Sequence, residues 1–233
     1  TDSTAPQWGG GIDVNQGSLT MANCFVSGNM TDPAAGLGGG GISLYTVQPC
    51  SFVNCTFSGN VQQSPSGFGG GANYAENFSP IGELPIRIIH CTFAGNDDVS
   101  DSGSSIHANV FGTFVSVRNS IFADGLGRNL EVAGAARIVS QGGNISDDPA
   151  TTTLTQGGQP ELITFLDHAS DLRDTNPLLS GTALALQAGS PAIGLAINPL
   201  DEIANPVADR IGVIRESDPD AGALGFNSFA CPI

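Results

Sequence analysis

The chain has 233 residues, room for one domain with a substantial core or two small ones, and no run in it is apolar for long enough to span a membrane. Charged residues make up 12%, with 32 glycines and 14 prolines, so the chain is too apolar for disorder yet must turn often. Twenty-two acidic residues face seven basic ones, all arginine, and the formal net charge of -15 excludes nucleic acid and anionic lipid as natural partners.

The first eight residues, Thr1 to Trp8, precede any repeated feature and are the only segment available to plug an N-terminal end. Thr1 does not open a signal peptide, and the polar, lysine-free composition reads as a secreted chain whose targeting segment has been removed. A repeat then begins. Glycine clusters Gly9-Gly10-Gly11-Ile12, Gly39-Gly40-Gly41-Ile42, Gly69-Gly70-Gly71-Ala72 and Gly103-Ser104-Ser105-Ile106 recur at spacings of 30, 30 and 34. A second block follows each cluster: Asn23-Cys24-Phe25-Val26-Ser27-Gly28-Asn29, Asn54-Cys55-Thr56-Phe57-Ser58-Gly59-Asn60, His90-Cys91-Thr92-Phe93-Ala94-Gly95-Asn96 and Asn119-Ser120-Ile121-Phe122-Ala123-Asp124.

Aligned on the cysteine, these copies produce apolar columns. Leu19, Cys50, Ile86 and Val115 stand five positions before it, and Met21, Phe52, Ile88 and Val117 three before it. The intervening residues are Thr20, Ser51, Arg87 and Ser116, the alternation of a strand with one buried face. Val26, Phe57, Phe93 and Phe122 form a third column. No single unit can bury such a face alone, and the absence of a helical period excludes helical solenoids, so the units must stack with equivalent strands parallel, about 4.8 Å apart. The expected fold is all-β: a right-handed, single-stranded parallel β-helix of about seven coils. The column Asn23, Asn54, His90, Asn119 is expected to form an internal amide ladder at a bend. Residues 1–125 hold the regular repeats, 126–160, 161–193 and 194–226 are expected as three less regular coils, and 227–233 as a tail, all in one domain spanning 1–233.

The pairing of Gly-Gly-x-[Ile/Ala] with Phe-x-x-Asn, as in Phe57–Asn60 and Phe93–Asn96, resembles the repeats of chlamydial polymorphic outer-membrane proteins and related bacterial surface β-helices, although the first copy has Val26 in place of phenylalanine. The C-terminal half carries Asn129-Leu-Glu-Val132, Ser140-Gln-Gly-Gly-Asn-Ile-Ser-Asp147, Asn176-Pro-Leu-Leu179, Ala188-Gly-Ser-Pro-Ala-Ile193, Asp209–Arg215 and Asp220-Ala-Gly-Ala223. That order is similar to the bacterial domain called choice-of-anchor Q, whose members end in varied surface-anchoring signals. Gly194-Leu195 and Gly225-Phe226 depart from its pattern, and no recognisable anchor follows Ala230.

Candidate chemistry is sparse. Cys24, Cys55 and Cys91 share a column and Cys50 lies in an apolar one, so all four read as reduced, buried thiols, with Cys231 the odd thiol available to cross-link chains. Arg87, Arg118 and Arg137 could form a small patch on adjacent coils. Of the polygalacturonase pattern only the acidic pairs Asp97-Asp98 and Asp147-Asp148 occur, and they read as solvated loops. His107 and His168 lack metal-ligand spacing. The loop from Asp97 to Asp101 could offer carboxylates to Ca²⁺ but lacks the repetition of calcium β-rolls. Sequons stand at Asn29, Asn54, Asn77 and Asn144. No catalytic, cofactor-binding or metal residue is assigned. The expected function is a non-enzymatic, extracellular or cell-surface structural or adhesin-like β-helix, partnered with itself in a head-to-tail filament and with surface glycans. The alternative is a glycan-active enzyme, lyase or hydrolase, or a carbohydrate-binding module on the same scaffold. The filament follows from two ends with no evident cap: Thr1–Trp8 at one, and Asn227–Ile233, with Phe229, Cys231 and Ile233, at the other.

Overall fold

The computed structural model describes residues 4–5, 9–34, 38–46, 48–65, 69–77, 84–101, 103–110, 112–156, 159–198, 204–215, 217 and 219–226. The expectations placed on Thr1–Ser3, Pro6–Trp8 and the tail from Asn227, including Phe229, Cys231 and Ile233, lie outside these residues, as does the side chain of Asn77.

The chain is a parallel β-helix. Sheet I stacks Ile12–Gly17, Ile42–Thr46, Asn73–Asn77, Ile106–Asn109 and Leu130–Val132. Sheet II stacks Thr20–Ala22, Cys50–Val53, Leu84–Ile89, Thr113–Arg118 and Arg137–Ser140. Sheet III stacks Phe25–Ser27, Thr56–Ser58, Thr92–Ala94, Ile121–Ala123 and Ile145–Ser146. Thr4–Ala5, Met30–Thr31, Val61–Gln62 and Asp97–Asp98 make a fourth, narrower ladder, sheet IV. Every neighbouring pair in these sheets is parallel.

The register is the one the columns predict. Ile86 sits between Cys50 and Val115, Ile88 between Phe52 and Val117, and Phe93 between Phe57 and Phe122. The phenylalanine column becomes a stack, with ring centroids 4.7 Å apart for Phe57–Phe93 and 5.3 Å for Phe93–Phe122. The sheets turn into one another at left-handed corners. Asn23, Asn54, His90 and Asn119 hold φ of 56°, 54°, 50° and 52°, a region that short polar side chains tolerate better than bulky ones. At the glycine cluster the coils approach so closely that a Cβ on Gly40 would lie 2.4 Å from the Gly71 carbonyl oxygen, which is why the run recurs.

The buried amide ladder is a different column from the one expected. It is the closing asparagine of the repeat: Asn29 Nδ2 donates to Asn60 Oδ1 at 2.9 Å, and Asn60 Nδ2 donates to Asn96 Oδ1 at 2.9 Å. Asn60 and Asn96 also cap the carbonyls of Val26 and Phe57, each at 3.0 Å. These side chains sit inside the turn from sheet III to sheet IV. The expected Asn23 column pairs in part, on the outer corner: Asn54 donates to Asn23 Oδ1 at 3.2 Å and Asn119 Nδ2 meets His90 Nε2 at 3.1 Å, with Asn54, His90 and Asn119 buried beneath residues that return across that corner.

The described residues form five coils, not about seven. The fifth ends near Ser146, and a single parallel bridge from Ile145 to Leu172 is the last trace of the ladder. Beyond it no glycine cluster or Phe-x-x-Asn block recurs, while prolines at 149, 160, 177, 191, 206 and 219 withhold the donors that a central strand needs. The residues expected as three further coils do two other things. Thr151–Gln156 and Gln159–Thr164 pair as an antiparallel hairpin that places Leu154 and Ile163 against the core and closes the C-terminal end. After a short antiparallel pair, Leu179–Ser180 with Ala185–Leu186, the chain turns back along the outer corner as an irregular strap. The hairpin covers one of the two ends on which head-to-tail stacking was expected; the segments named for capping, Thr1–Ser3, Pro6–Trp8 and Asn227–Ile233, lie outside the described residues.

One inward column is interrupted. Ile12, Ile42, Asn73, Ile106 and Leu130 are in register, and Asn73, fully buried, leaves both side-chain amide atoms without a hydrogen-bond partner. Replacing Asn73 with valine should therefore raise unfolding free energy by about 1–3 kcal/mol, measured by chemical denaturation, because an unpaired buried amide is removed. In the same assay Phe93→Ala should lose about 3–5 kcal/mol, the cost of truncating a large core aromatic.

Candidate functional site

Two surfaces concentrate polar side chains. The first is the outer face of sheet I. Alternation along its strands sends Asp13, Ser43, Tyr74, His107 and Glu131 outward in one registered column, and Asn15, Tyr45, Glu76 and Asn109 in the next. Towards the C-terminal end these groups hold one another. The Tyr74 hydroxyl donates to Glu76 Oε1, and Asn109 Nδ2 donates to that same oxygen at 2.8 Å and to the Tyr74 hydroxyl at 3.0 Å. Burial pushes the Tyr74 phenol above its ordinary range, with the Glu76 carboxylate adding to the effect. Glu131 accepts Arg128 Nη1 on one oxygen and the Thr152 hydroxyl, at 2.6 Å, on the other, tying the fifth coil to the closing hairpin. Towards the N-terminal end the face opens into a cavity of about 320 Å³ lined by Asp13, Asn15, Gln16 and Tyr45.

The second surface is the outer corner under the strap. Asn119 is held from three sides: its Nδ2 donates to the Ile197 carbonyl at 2.9 Å and to Asn205 Oδ1 at 3.1 Å, and its Oδ1 accepts Ile197 N–H at 2.9 Å. Asn54 Nδ2 donates to the Ala208 carbonyl at 2.7 Å. Arg215 reaches across, donating to Asn54 Oδ1 at 3.0 Å and to the carbonyls of Gly222 at 2.8 Å and Asp220 at 3.1 Å. Ala223 N–H donates to Thr92 Oγ1 at 2.9 Å, and Arg210 lies 5.1 Å over the Phe25 ring. The strap thus touches coils one to four through side chains of the repeat itself.

The remaining sequence candidates are dispersed. Arg87 lies opposite Ser51 and Ser116, Arg137 stacks 4.7 Å over Phe114, and Arg118 opposes Ile89, so register separates the three arginines instead of forming a patch. Asp98 is buried and caps its own turn through Ser100, while Asp101 pairs with Arg128 at 3.6 Å. Asp148 accepts the N–H groups of Asn129 and Ala150, at 2.8 and 2.9 Å, and the Ser146 hydroxyl at 2.6 Å. Asp147 accepts Asp124 N–H at 2.6 Å, so this pair closes a turn in place of the expected solvated loop. Among the described residues no group of three His, Cys, Asp or Glu side chains is placed to hold a metal ion. Cys24, Cys50, Cys55 and Cys91 are free thiols; Cys50, Cys55 and Cys91 are buried, whereas Cys24 at the first coil is only partly so. Burial pushes the Cys91 thiol up. His168 is exposed beside Ser170.

The strap was marked in the sequence only by the blocks Asp209–Arg215 and Asp220–Ala223 of the C-terminal resemblance, with no role attached to them, and the sheet I network by no motif. Both come from register and from a return of the chain across more than a hundred residues. The chain matches no protein-family model, no curated protein and no solved structure.

His90 is where the corner is sensitive to acid. It replaces asparagine in the column, is completely buried, and is depressed to about 3 by burial first and then by the positive charge of Arg215, with Arg118 adding to it. A histidine near its ordinary value of about 6.5 when unfolded and far lower when folded stabilises the fold fully above that value. That contribution is lost as pH falls from about 6.5 towards 3. His90→Asn should therefore show a shallower loss of thermal stability between pH 7 and 4 than the native chain, by about the histidine's share. Parallel stability curves for the two proteins would contradict this.

Proposed function

We propose that the chain is a non-enzymatic, extracellular structural module of adhesin-like type, a short β-helix closed at its C-terminal end and laced along one corner. The observation that carries this reading is how the polar side chains are used. Glu76, Glu131, Asp147, Asp148, Asn54, Asn119 and Arg215, the groups from which a reactive site would be built, bond neighbouring coils, the hairpin or the strap. A carboxylate saturated by a guanidinium and a hydroxyl, as Glu131 is, makes a poor general acid or base. The secreted-type composition and the resemblance of the repeats to bacterial surface β-helices support an extracellular setting. The hairpin over the fifth coil favours an end-closed module over a fibre subunit.

A second reading, a carbohydrate-binding module on the same scaffold, is favoured by one feature, the open cavity at Asp13 and Tyr45. To test the principal reading, the purified chain is incubated with neutral and uronate polysaccharides, with assays for reducing ends and for unsaturated, ultraviolet-absorbing products. Its sedimentation is followed over a wide concentration range. No turnover and a concentration-independent monomer are expected. Turnover abolished by Glu76→Gln would overturn the non-enzymatic reading, and concentration-dependent fibres would restore the filament.

A further inference from the structure

We propose that the cavity at the N-terminal end of sheet I is a binding site for a neutral, hydroxyl-rich sugar; this rests on the adhesin-like reading and names the class of partner. Three independent features converge there. The first is the lining. Asp13, Asn15, Gln16 and Tyr45 bring together a carboxylate, two carboxamides and a phenol around about 320 Å³, the lower end of the range for small-ligand sites. A carboxylate accepts hydrogen bonds from two adjacent hydroxyls, each carboxamide both donates and accepts, and an aromatic ring offers a flat apolar surface to the C–H face of a sugar. Together these groups match a neutral ligand that offers several hydroxyls and one apolar face.

The second feature is backbone geometry. Strand Ile12–Gly17 pairs regularly with Ile42–Thr46 until Asn15 opposes Tyr45, and then Gln16 is inserted without an opposing residue before Gly17 meets Thr46. Gln16 takes φ of 58°, in the left-handed region that a glutamine enters only at a cost. A bulge of this kind re-aims the inserted side chain, and here it brings Gln16 into the lining beside Tyr45. The next copy of the strand, Asn73–Asn77, pairs with Ile42–Thr46 through Asn77 opposite Thr46 without any such insertion, although Val110, which follows Asn109 at the corresponding point of the fourth coil, also takes a left-handed φ, of 61°. The inserted residue is therefore particular to the pairing of the first coil with the second, and it is the insertion, more than the left-handed turn, that sets this strand apart.

The third feature is charge. The chain has no lysine, and its first arginine is Arg87, so the segment that builds the first two coils contributes carboxylates and no cation. Asp13 itself is held above the usual carboxylate value by partial burial. A uronate or sulfated sugar entering the cavity would meet an anionic group with no basic side chain from its own coils to offset it, whereas a neutral sugar meets only hydrogen-bond partners. The chemistry selects hexose-type neutral glycans over polyanionic ones.

The test uses the full chain in titration calorimetry against linear neutral oligosaccharides (glucans, mannans and galactans of matched length) and against an oligouronate of the same length. Measurable binding to at least one neutral series is expected, with little dependence on salt and no binding of the uronate. Tyr45→Ala should weaken it at least about tenfold. Because Tyr45 lies in a strand, Gln16→Gly is the control: glycine accepts the left-handed backbone without strain, so thermal stability should hold or rise while affinity falls several-fold. Binding of the uronate alone, binding that both variants leave intact, or no binding to any neutral series would each overturn the site. Turnover of a bound sugar by the native chain, with the variants still failing to bind, would overturn the non-enzymatic reading and leave the site standing.

Discussion

Each coil meets its neighbours at the strand spacing of about 4.8 Å, and this one dimension governs what the rest of the molecule is allowed to do. At that distance a side chain is surrounded by its own equivalents, so a residue that suits one coil must suit contact with itself. Phenylalanines satisfy the condition by stacking, with rings 4.7 and 5.3 Å apart. Asparagines satisfy it by passing a hydrogen bond from amide to carbonyl along the column, as Asn29, Asn60 and Asn96 do. Charges do not satisfy it. A column of carboxylates or guanidiniums would repel itself, which fits the low charged fraction of 12% and the way register keeps Arg87, Arg118 and Arg137 apart.

This self-matching is why so much of the fold was legible in the sequence. Position within the repeat fixes both sheet and face, and Cys50, Ile86 and Val115 could be aligned without any knowledge of the turns between them. The same logic caught only part of the asparagine pattern: the Asn23 column pairs at two of its steps, while the continuous ladder is the Asn29 column. Two asparagine-rich columns exist, at the start and at the end of the cysteine block, and sequence alone does not say which one faces inward. Backbone conformation decides it: the first column occupies left-handed corners that turn its side chains outward, and the second follows a glycine corner that turns its side chains in.

The C-terminal third was misread for a related reason. A period of roughly thirty residues was extended past Ser146 by counting, although the features that enforce the period, the glycine cluster and the Phe-x-x-Asn block, had ceased. Without them nothing compels another coil, and the antiparallel pairing of Thr151–Gln156 with Gln159–Thr164 satisfies the last strands with far less chain. The candidate cavity was not legible at all, since it depends on one inserted residue, Gln16, whose effect shows only when the strand is laid against its neighbour.

The strap changes the physical kind of object this is. A plain solenoid is nearly one-dimensional: each repeat feels only the two beside it, terminal repeats can open alone, and cooperativity fades with length. Here Asn54 and Asn119, on the second and fourth coils, are bonded to residues 208 and 197 of a single returning segment, and Thr92 on the coil between them is bonded to residue 223. Opening any one of these coils must disturb a partner shared with the others. The contacts also join residues separated by 78 to 154 positions, so they close only after the coils they bind are in place. The corner lacing is thus an element of late assembly that turns a string of neighbours into one cooperative unit, with resistance to local fraying and to proteolytic nicking along its whole length.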